Sequence, residues 1–269
     1  MDTEAAAFEI AGGSVAGQLH LAAGRNNQDA YGWEVGAGGL IAVVCDGCGS
    51  RPHSEVGALI GARLVVQALR RLRRAGLEGA RLFDDVHRQV LAGLRAVARQ
   101  LGARDGRLAE TVIDYLLFTI VGVLITEREA IPFSLGDGLI VVNGEERDLG
   151  PFPDNEPPYL AYGLRPRGFD AGRAGRPAFQ VHEATPVERL RTILIGTDGV
   201  RDLRAIAGRA VPGRAEVVGP LSQFWTDDGY YRNRDRVRRR LAVLTRGARA
   251  GLLADDTTLV VLRRKELAS

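Results

Sequence analysis

The longest apolar run in the chain, YLLFTIVGVLIT at residues 115–126, contains no charged residue. Twelve residues are too few to cross a bilayer as a helix, which needs about 20. A short apolar run rich in β-branched residues is typical of a buried strand. We therefore interpret residues 115–126 as a strand in the protein core.

Other segments alternate between strand and helix patterns. Apolar residues recur every three or four positions at 54–74 and 81–103, which predicts two long helices, and a basic helix is expected near 234–247. Further strands are expected at 40–46, 131–135, 139–145, 191–198 and 257–264, with a tight turn at Asn143-Gly144. The pattern predicts a single α+β domain over 1–269 with layered sheets and helices.

Residues 150–186 differ from the rest in composition. They hold seven of the eleven prolines and show little periodicity. Because strand patterns resume after them, we interpret the segment as a surface excursion and not as a linker. Tyr159, Tyr162 and Arg165 in this excursion are candidates for substrate contact.

Composition excludes several classes of protein. Apolar residues make up 45% and charged residues 26%, as in ordinary globular proteins. A net charge of +3 is not that of a polycationic nucleic-acid binder, and the six arginines of 232–240 are interpreted as a solvated helix face. No signal peptide is recognised and only two cysteines are present, so a cytoplasmic protein without a membrane or nucleic-acid partner is expected. Cys45 and Cys48 form C-x-x-C, but the motif does not open a helix pattern, and a redox role is not expected.

Several predicted strands end or begin at aspartates. Asp46 and Asp198 each follow an apolar strand and precede glycine, Asp255 precedes the last strand, and Asp137 lies between two strands. A single Asp-Gly is most often only a turn. Several carboxylates brought together repel one another unless a cation neutralises them, and oxygen ligands favour Mg²⁺ or Mn²⁺. The set therefore predicts a metal site.

The sequence resembles the metal-dependent protein Ser/Thr phosphatases of the PPM (type 2C) family, most closely the compact bacterial type. Five blocks carry the resemblance in order from residue 24 to 264: GRNNQDA, VVCDGCGS with SEVGA, FSLGDG, ILIGTDGV and DDTTLVVLRR. The resemblance implies a four-layer αββα sandwich, with two central antiparallel sheets flanked by helices. It also implies hydrolysis of phosphoserine and phosphothreonine in proteins, opposing a Ser/Thr kinase.

The family's site residues transfer to this sequence by motif. Asp46 would bridge two Mn²⁺ or Mg²⁺ ions, the Gly47 carbonyl would bind one, and Asp198 and Asp255 would complete the centre. Two catalytic residues are implied beside them, Asp29 to hold metal-bound water and Arg25 to grip the substrate phosphate. Hydroxide bridging the two ions would then attack phosphorus directly, without a phosphoenzyme. A third metal, seen in some relatives, would use Asp137 and Asp202, which are equally well explained as a hairpin turn and a helix cap.

The sequence departs from the family pattern at three places. Gln28 stands where a glutamate is usual, and Arg25 lies four residues before Asp29 where many relatives have five. Cys48 stands where eukaryotic members carry a histidine, so water, His53 or another group would protonate the leaving oxygen.

Two other functions compete with an active phosphatase, which we expect to be monomeric. One is a regulatory pseudophosphatase that binds phosphoproteins on the same fold. Such proteins usually lose a metal aspartate, and here Asp46, Asp198 and Asp255 are all present. The other is an unrelated metal hydrolase for nucleotides or sugar phosphates.

Overall fold

Eleven strands and eight helices are found in the part of the chain that the structure, a computed structural model, describes: residues 7–36, 38–102, 107–164, 177–245 and 251–265. The strands are β1 (Phe8–Val15), β2 (Asp29–Gly36), β3 (Gly39–Gly47), β4 (Phe118–Ile125), β5 (Glu129–Leu135), β6 (Leu139–Val142), β7 (Glu145–Asp148), β8 (Gln180–Val181), β9 (Thr185–Pro186), β10 (Thr192–Gly196) and β11 (Thr257–Arg264). The helices are α1 (Gln18–Ala22), α2 (Ser54–Arg74), α3 (Gly79–Gln100), α4 (Leu108–Tyr115), α5 (Gly199–Ala205), α6 (Gln223–Thr226), α7 (Gly229–Arg232) and α8 (Arg236–Thr245).

The strands form two antiparallel sheets. The first has the order β1-β11-β10-β6-β7, and the second has the order β2-β3-β4-β5-β8 with β9 also paired to β5. The sheets pack face to face, and their inner side chains form one core cluster. The outer face of the second sheet is covered by α2, α3 and α4, and that of the first by α5 to α8. The predicted α+β class and four-layer αββα sandwich are confirmed.

Strand β3 shows how the sequence produces these layers. Successive side chains of a strand point to opposite faces. Leu40, Ala42 and Val44 lie in the core between the sheets, whereas Ile41 and Val43 pack against the helices. Both faces are buried, which is why this strand is apolar at every position and not only at alternate ones.

Predicted element bounds were largely confirmed, with one clear correction. Helix 54–74, strand 257–264 and the Asn143-Gly144 turn between β6 and β7 are found as predicted, with positive φ at both turn residues. Residues 115–126 are not a single strand, because α4 ends at Tyr115 and β4 begins only at Phe118. Burial makes the helix end and the strand equally apolar, so the run does not show the boundary.

The proline-rich segment returns to the second sheet. Its described parts contain 3₁₀ turns at Pro153–Asn155 and Leu160–Leu164 and the strands β8 and β9, which pair with β5. Leu160 and Leu164 are buried against the helical layer. Arg165 lies outside the described residues.

Arginines near the C-terminal helix are largely engaged in ion pairs. Val237, Leu241 and Leu244 form the buried face of α8, while Arg236 lies 2.8 Å from Asp227 and Arg240 3.0 Å from Glu216. These contacts agree with the interpretation of a solvated helix face. Within the described ranges, no helix combines the length and apolar character needed to cross a membrane.

Helix α2 approaches the second sheet through glycines. A Cβ at Gly61 would overlap the buried ring of Phe118, and one at Gly93 of α3 would meet only the end of the Leu64 side chain. A rigid buried ring cannot move aside, whereas a leucine can change rotamer.

We expect Gly61→Ala to lower the free energy of unfolding by about 1–3 kcal/mol, despite the better helix propensity of alanine. Gly93→Ala serves as the matched control and should cost less or stabilise. Urea unfolding of both variants measures the difference. Equal stability of the two would contradict the packing described for α2.

Candidate metal centre

Two pairs of strands bring aspartates to the same end of the sandwich. In the second sheet, the register of β2 and β3 places Asp29 directly opposite Asp46. In the first sheet, Asp198 follows the end of β10 and Asp255 precedes the start of β11. Because β10 and β11 are antiparallel neighbours, the end of one meets the start of the other. The strand ends therefore deliver carboxylates from both sheets to one place.

A threonine links the two sheets at this end. The hydroxyl of Thr197, next to Asp198 in the first sheet, donates to Oδ2 of Asp29 in the second at 2.8 Å. The amide of Thr197 donates to the Thr258 carbonyl at 3.0 Å and continues the β10–β11 pairing. This link orients the Asp29 carboxylate and leaves its Oδ1 buried without a hydrogen-bond partner.

Asp46, Asp198 and Asp255 line a cavity of about 360 Å³, whereas Asp29 is not among its lining residues. Its lining comes from strand ends, from the loop after β3 and from the proline-rich segment. The lining residues include Asp46, Gly47, Asp137, Asp198, Asp255, Asp256, His20, Cys48, Arg51, Asp154, Glu156, Tyr159 and Tyr162. The predicted metal ligands are thus brought together.

Burial and mutual repulsion perturb the acidic groups. Burial, followed by repulsion from Asp29 and Asp198, raises the pKa of Asp46 well above its usual range. Burial and the charge of Asp256 likewise raise the pKa of Asp29, and burial and Asp198 raise that of Asp255. Such a cluster is unfavourable when fully ionised unless a cation lies among its oxygens.

The donor set fits a hard divalent cation. Asp198 carries a buried Oδ1 without a hydrogen-bond partner, as Asp29 does. Asp198 immediately precedes α5, but its side chain makes no capping hydrogen bond, so it is not engaged by the helix end. Carboxylate and carbonyl oxygens are the ligands that Mg²⁺ and Mn²⁺ prefer.

Asp256 has a different environment from its neighbour Asp255. Its Oδ1 accepts the Gly17 amide at 2.7 Å and its Oδ2 the Gln28 amide at 2.5 Å, and Nδ1 of His20 lies 2.8 Å away. Asp256 therefore holds the segments around Gly17 and Gln28 in place. The ligand atoms of His20, Asp255 and Asp256 also lie within 4.8 Å of one another. Sequence reasoning missed His20, whose long separation from Asp256 gives no local signal.

Arg25 lies beside the cavity and contacts the loop that follows Asp46. Its Nη1 donates to the Gly49 carbonyl at 2.6 Å, and its Nη2 donates to the Arg51 carbonyl. Arg25 is not among the residues that line the cavity, whereas Arg51 is. The phosphate-gripping role predicted for Arg25 stays a prediction.

The two residues predicted for a third metal occupy different positions. Asp137 lines the cavity from the turn between β5 and β6, where Gly136 and Gly138 both have positive φ. The turn is not a hairpin, because β5 and β6 belong to different sheets. Asp202 lies in α5 and is not among the lining residues, and burial and the charge of Asp198 raise its pKa.

Other candidates from the sequence lie close to the cavity. Tyr159 and Tyr162 line it and pack edge to face, with ring centroids 5.4 Å apart. His53 immediately precedes α2, stacks on Tyr115 at 4.9 Å and does not line the cavity. Cys45 and Cys48 are both free, and Cys45 is buried in the core beneath α2.

Comparisons with known proteins identify the family to which this chain belongs. Residues 16–229 match the family described as Protein phosphatase 2C. This match covers most of the chain, so the protein belongs to the protein phosphatase 2C family and is a protein serine/threonine phosphatase by membership. No curated protein sequence matches the chain.

Solved structures share the fold at low sequence identity. A bacterial serine phosphatase is 14% identical, with a TM-score of 0.52 over 97% of this chain and 100% of that one. The serine/threonine phosphatase Stp1 from Staphylococcus aureus is 13% identical, with a TM-score of 0.53 over 96% of both chains. At these identities, the likeness shows the fold alone.

Asp137 provides a test of the electrostatics of the cavity. Burial and repulsion from Asp198 raise the pKa of Asp137 to about 6. Because this pKa is above that of the unfolded chain, the ionised carboxylate destabilises the metal-free fold at pH 7.5, and the cost disappears as pH falls from 6 to 4. In EDTA, we expect Asp137→Asn to raise the free energy of unfolding at pH 7.5 by about 1–3 kcal/mol and to change it little at pH 4.

Urea unfolding at the two pH values measures this effect. The exposed Asp84 of α3 supplies the matched control, and Asp84→Asn should change stability by less than about 0.5 kcal/mol at either pH. A destabilised Asp137→Asn at pH 7.5 would contradict the charge repulsion inferred for the cavity.

Proposed function

We propose that the protein is an active metal-dependent phosphatase that hydrolyses phosphoserine and phosphothreonine in proteins. The observation that carries the proposal is the cavity at the end of the sandwich, where Asp46, Asp198 and Asp255 come together from both sheets. Membership of the protein phosphatase 2C family supports the same reaction. A Ser/Thr kinase would supply the substrate, and residues 1–269 would act as one catalytic domain.

Asp46, the Gly47 carbonyl, Asp198 and Asp255 would hold two Mn²⁺ or Mg²⁺ ions. Bound there, the two ions would supply a water molecule of lowered pKa as the nucleophile, and no phosphoenzyme would be needed. The charges of Asp29, Asp198 and Asp255 all act on Asp46, so Asp46 would be a central ligand of the metal centre. Asp137 and Asp202 would contribute to a third ion, with Asp137 directly on the cavity wall.

Asp29 is proposed to orient the attacking water. Its Oδ2 is fixed by the Thr197 hydroxyl, while its Oδ1 has no partner among the described residues. A carboxylate held in one orientation can accept a hydrogen bond from water in a defined direction. The contact with Thr197 therefore serves catalysis through Asp29.

The regulatory alternative has no observation in its favour. A pseudophosphatase would be expected to lack part of the acidic set, and all three ligand aspartates line the cavity here. The high cost of keeping them close without a cation also argues for metal binding.

The first experiment compares wild type with Asp198→Asn on p-nitrophenyl phosphate and on a phosphothreonine peptide, in Mn²⁺ or in EDTA. We expect metal-dependent turnover in wild type and a loss of at least about 100-fold in the variant, because a charged ligand is replaced by a neutral amide. Asp84→Asn is the matched control and should retain full activity. If wild type bound Mn²⁺ but showed no turnover, the regulatory alternative would be favoured. If wild type showed neither turnover nor Mn²⁺ binding, the proposed metal site would be wrong.

A second experiment tests the link between the sheets. Thr197→Val keeps the shape of the side chain but removes the hydroxyl that donates to Asp29. We expect kcat to fall about 10-fold, with Mn²⁺ affinity by isothermal titration calorimetry nearly unchanged. Thr197→Ser, which retains the donor, should preserve most of the activity. An unchanged kcat in Thr197→Val would remove the orienting role of this contact.

A further inference from the structure

Arg51 differs from the other residues of the cavity in charge. Of the described residues that line the cavity, it is the only arginine or lysine, and seven others are carboxylic acids. It lies in the loop that follows Asp46 and Gly47, so it reaches the cavity beside the proposed metal ligands. The aspartates would offset the positive charge of the proposed metal ions. A doubly charged phosphate group that enters this cavity therefore needs further positive charge.

The side chain of Arg51 has no partner in the described part of the chain. It is half-buried, and its Nε is buried without a hydrogen-bond acceptor. No ion pair joins it to Asp154 or Glu156, the acids on the cavity rim, among the pairs that the described residues form. Buried guanidinium nitrogens normally have partners, so a buried Nε without an acceptor beside a cavity is suited to an anionic ligand.

The backbone of Arg51, in contrast, is held by several contacts. Its carbonyl accepts hydrogen bonds from Nη2 of Arg25 and, at 2.8 Å, from Nε2 of Gln28. Its amide donates to the Cys48 carbonyl at 2.9 Å. Pro52 follows and restricts the conformation of Arg51 further. The loop therefore presents an anchored backbone and an unpaired guanidinium.

The same contacts occupy Arg25. Its two terminal nitrogens donate to the carbonyls of Gly49 and Arg51. A bidentate contact with a phosphate would require Arg25 to release this loop. Arg51 would need to release nothing.

We propose that Arg51 binds the phosphoryl oxygens of the substrate, and that Arg25 and Gln28 are positioning residues that hold the Arg51 backbone. The inference rests on the proposed phosphatase function and names the residue that recognises the phosphate. A planar guanidinium can donate two parallel hydrogen bonds to two phosphoryl oxygens. The amide of Gln28 matters here, because an ionised glutamate at this position has no hydrogen to donate to the Arg51 carbonyl.

The test measures steady-state kinetics of wild type, Arg51→Ala and Arg51→Gln on p-nitrophenyl phosphate and a phosphothreonine peptide in Mn²⁺. We expect kcat/KM to fall about 10- to 100-fold in both variants and inhibition by inorganic phosphate to weaken about 10-fold. Mn²⁺ affinity by calorimetry should stay within about twofold of wild type, since Arg51 holds no metal. Guanidinium at millimolar concentration should restore part of the Arg51→Ala activity, which a merely structural role would not allow.

Matched variants separate Arg51 from the residues that position it. Arg63→Ala, at an exposed site on α2, should leave all constants unchanged. Gln28→Glu introduced alone should weaken inhibition by inorganic phosphate. Introduced into Arg51→Ala, the same change should weaken this inhibition little further, because both substitutions act through one guanidinium. Arg51→Gln keeps the test valid if Arg51→Ala does not fold.

Two results would overturn the proposal. One is that Arg51→Ala and Arg51→Gln both keep the kcat/KM and the phosphate inhibition of wild type. The other is loss of phosphate inhibition in Arg25→Ala without loss in Arg51→Ala, which would make Arg25 the phosphate ligand. An inactive wild type in Mn²⁺ would overturn the phosphatase function itself, so the two failures are distinguishable.

Discussion

Repulsion among clustered carboxylates is the constraint on which the rest of the structure depends. Asp29, Asp46 and Asp255 have raised pKa values because desolvation and the charges of neighbouring acids disfavour their ionised forms. A flexible loop would let such groups move apart. Here, strand pairing fixes the backbone that carries the aspartates. The apolar core between the sheets fixes the strand pair β2–β3 relative to the strand pair β10–β11. The hydrophobic sandwich thus supplies the stability that offsets an electrostatically unfavourable site.

Much of this site could be predicted because strand ends are visible in sequence. Apolar runs that stop at Asp46 and Asp198, and one that starts after Asp255, place three acids at sheet edges without any knowledge of the fold. The αββα arrangement itself came from the family resemblance, since periodicity shows which elements exist but not how two sheets stack. The boundary between α4 and β4 could not be predicted, because Leu116 and Leu117 between them are buried and apolar residues are expected there in either element.

Contacts between distant segments could not be predicted. Asp255 and Asp256 are adjacent in sequence and both line the cavity, yet Asp256 alone of the two accepts hydrogen bonds from the amides of Gly17 and Gln28. Nothing local distinguishes them. Arg25 matched a motif position, but its hydrogen-bond partners depend on the path of the loop after Gly47, which the motif does not encode.

Two departures from the family pattern are connected in the structure. Gln28, which stands in place of an acid, and Arg25, which is displaced by one position, both donate to a single carbonyl oxygen, that of Arg51 in the loop after Asp46. An acid at position 28 would repel that oxygen, and without Arg25 the loop would lose two further contacts. Together these two contacts hold the loop that carries the Arg51 guanidinium beside an acidic cavity. A side chain that binds a ligand needs such support from its neighbours, so the proposed role of Arg51 depends on Gln28 and Arg25 although neither would contact the phosphate.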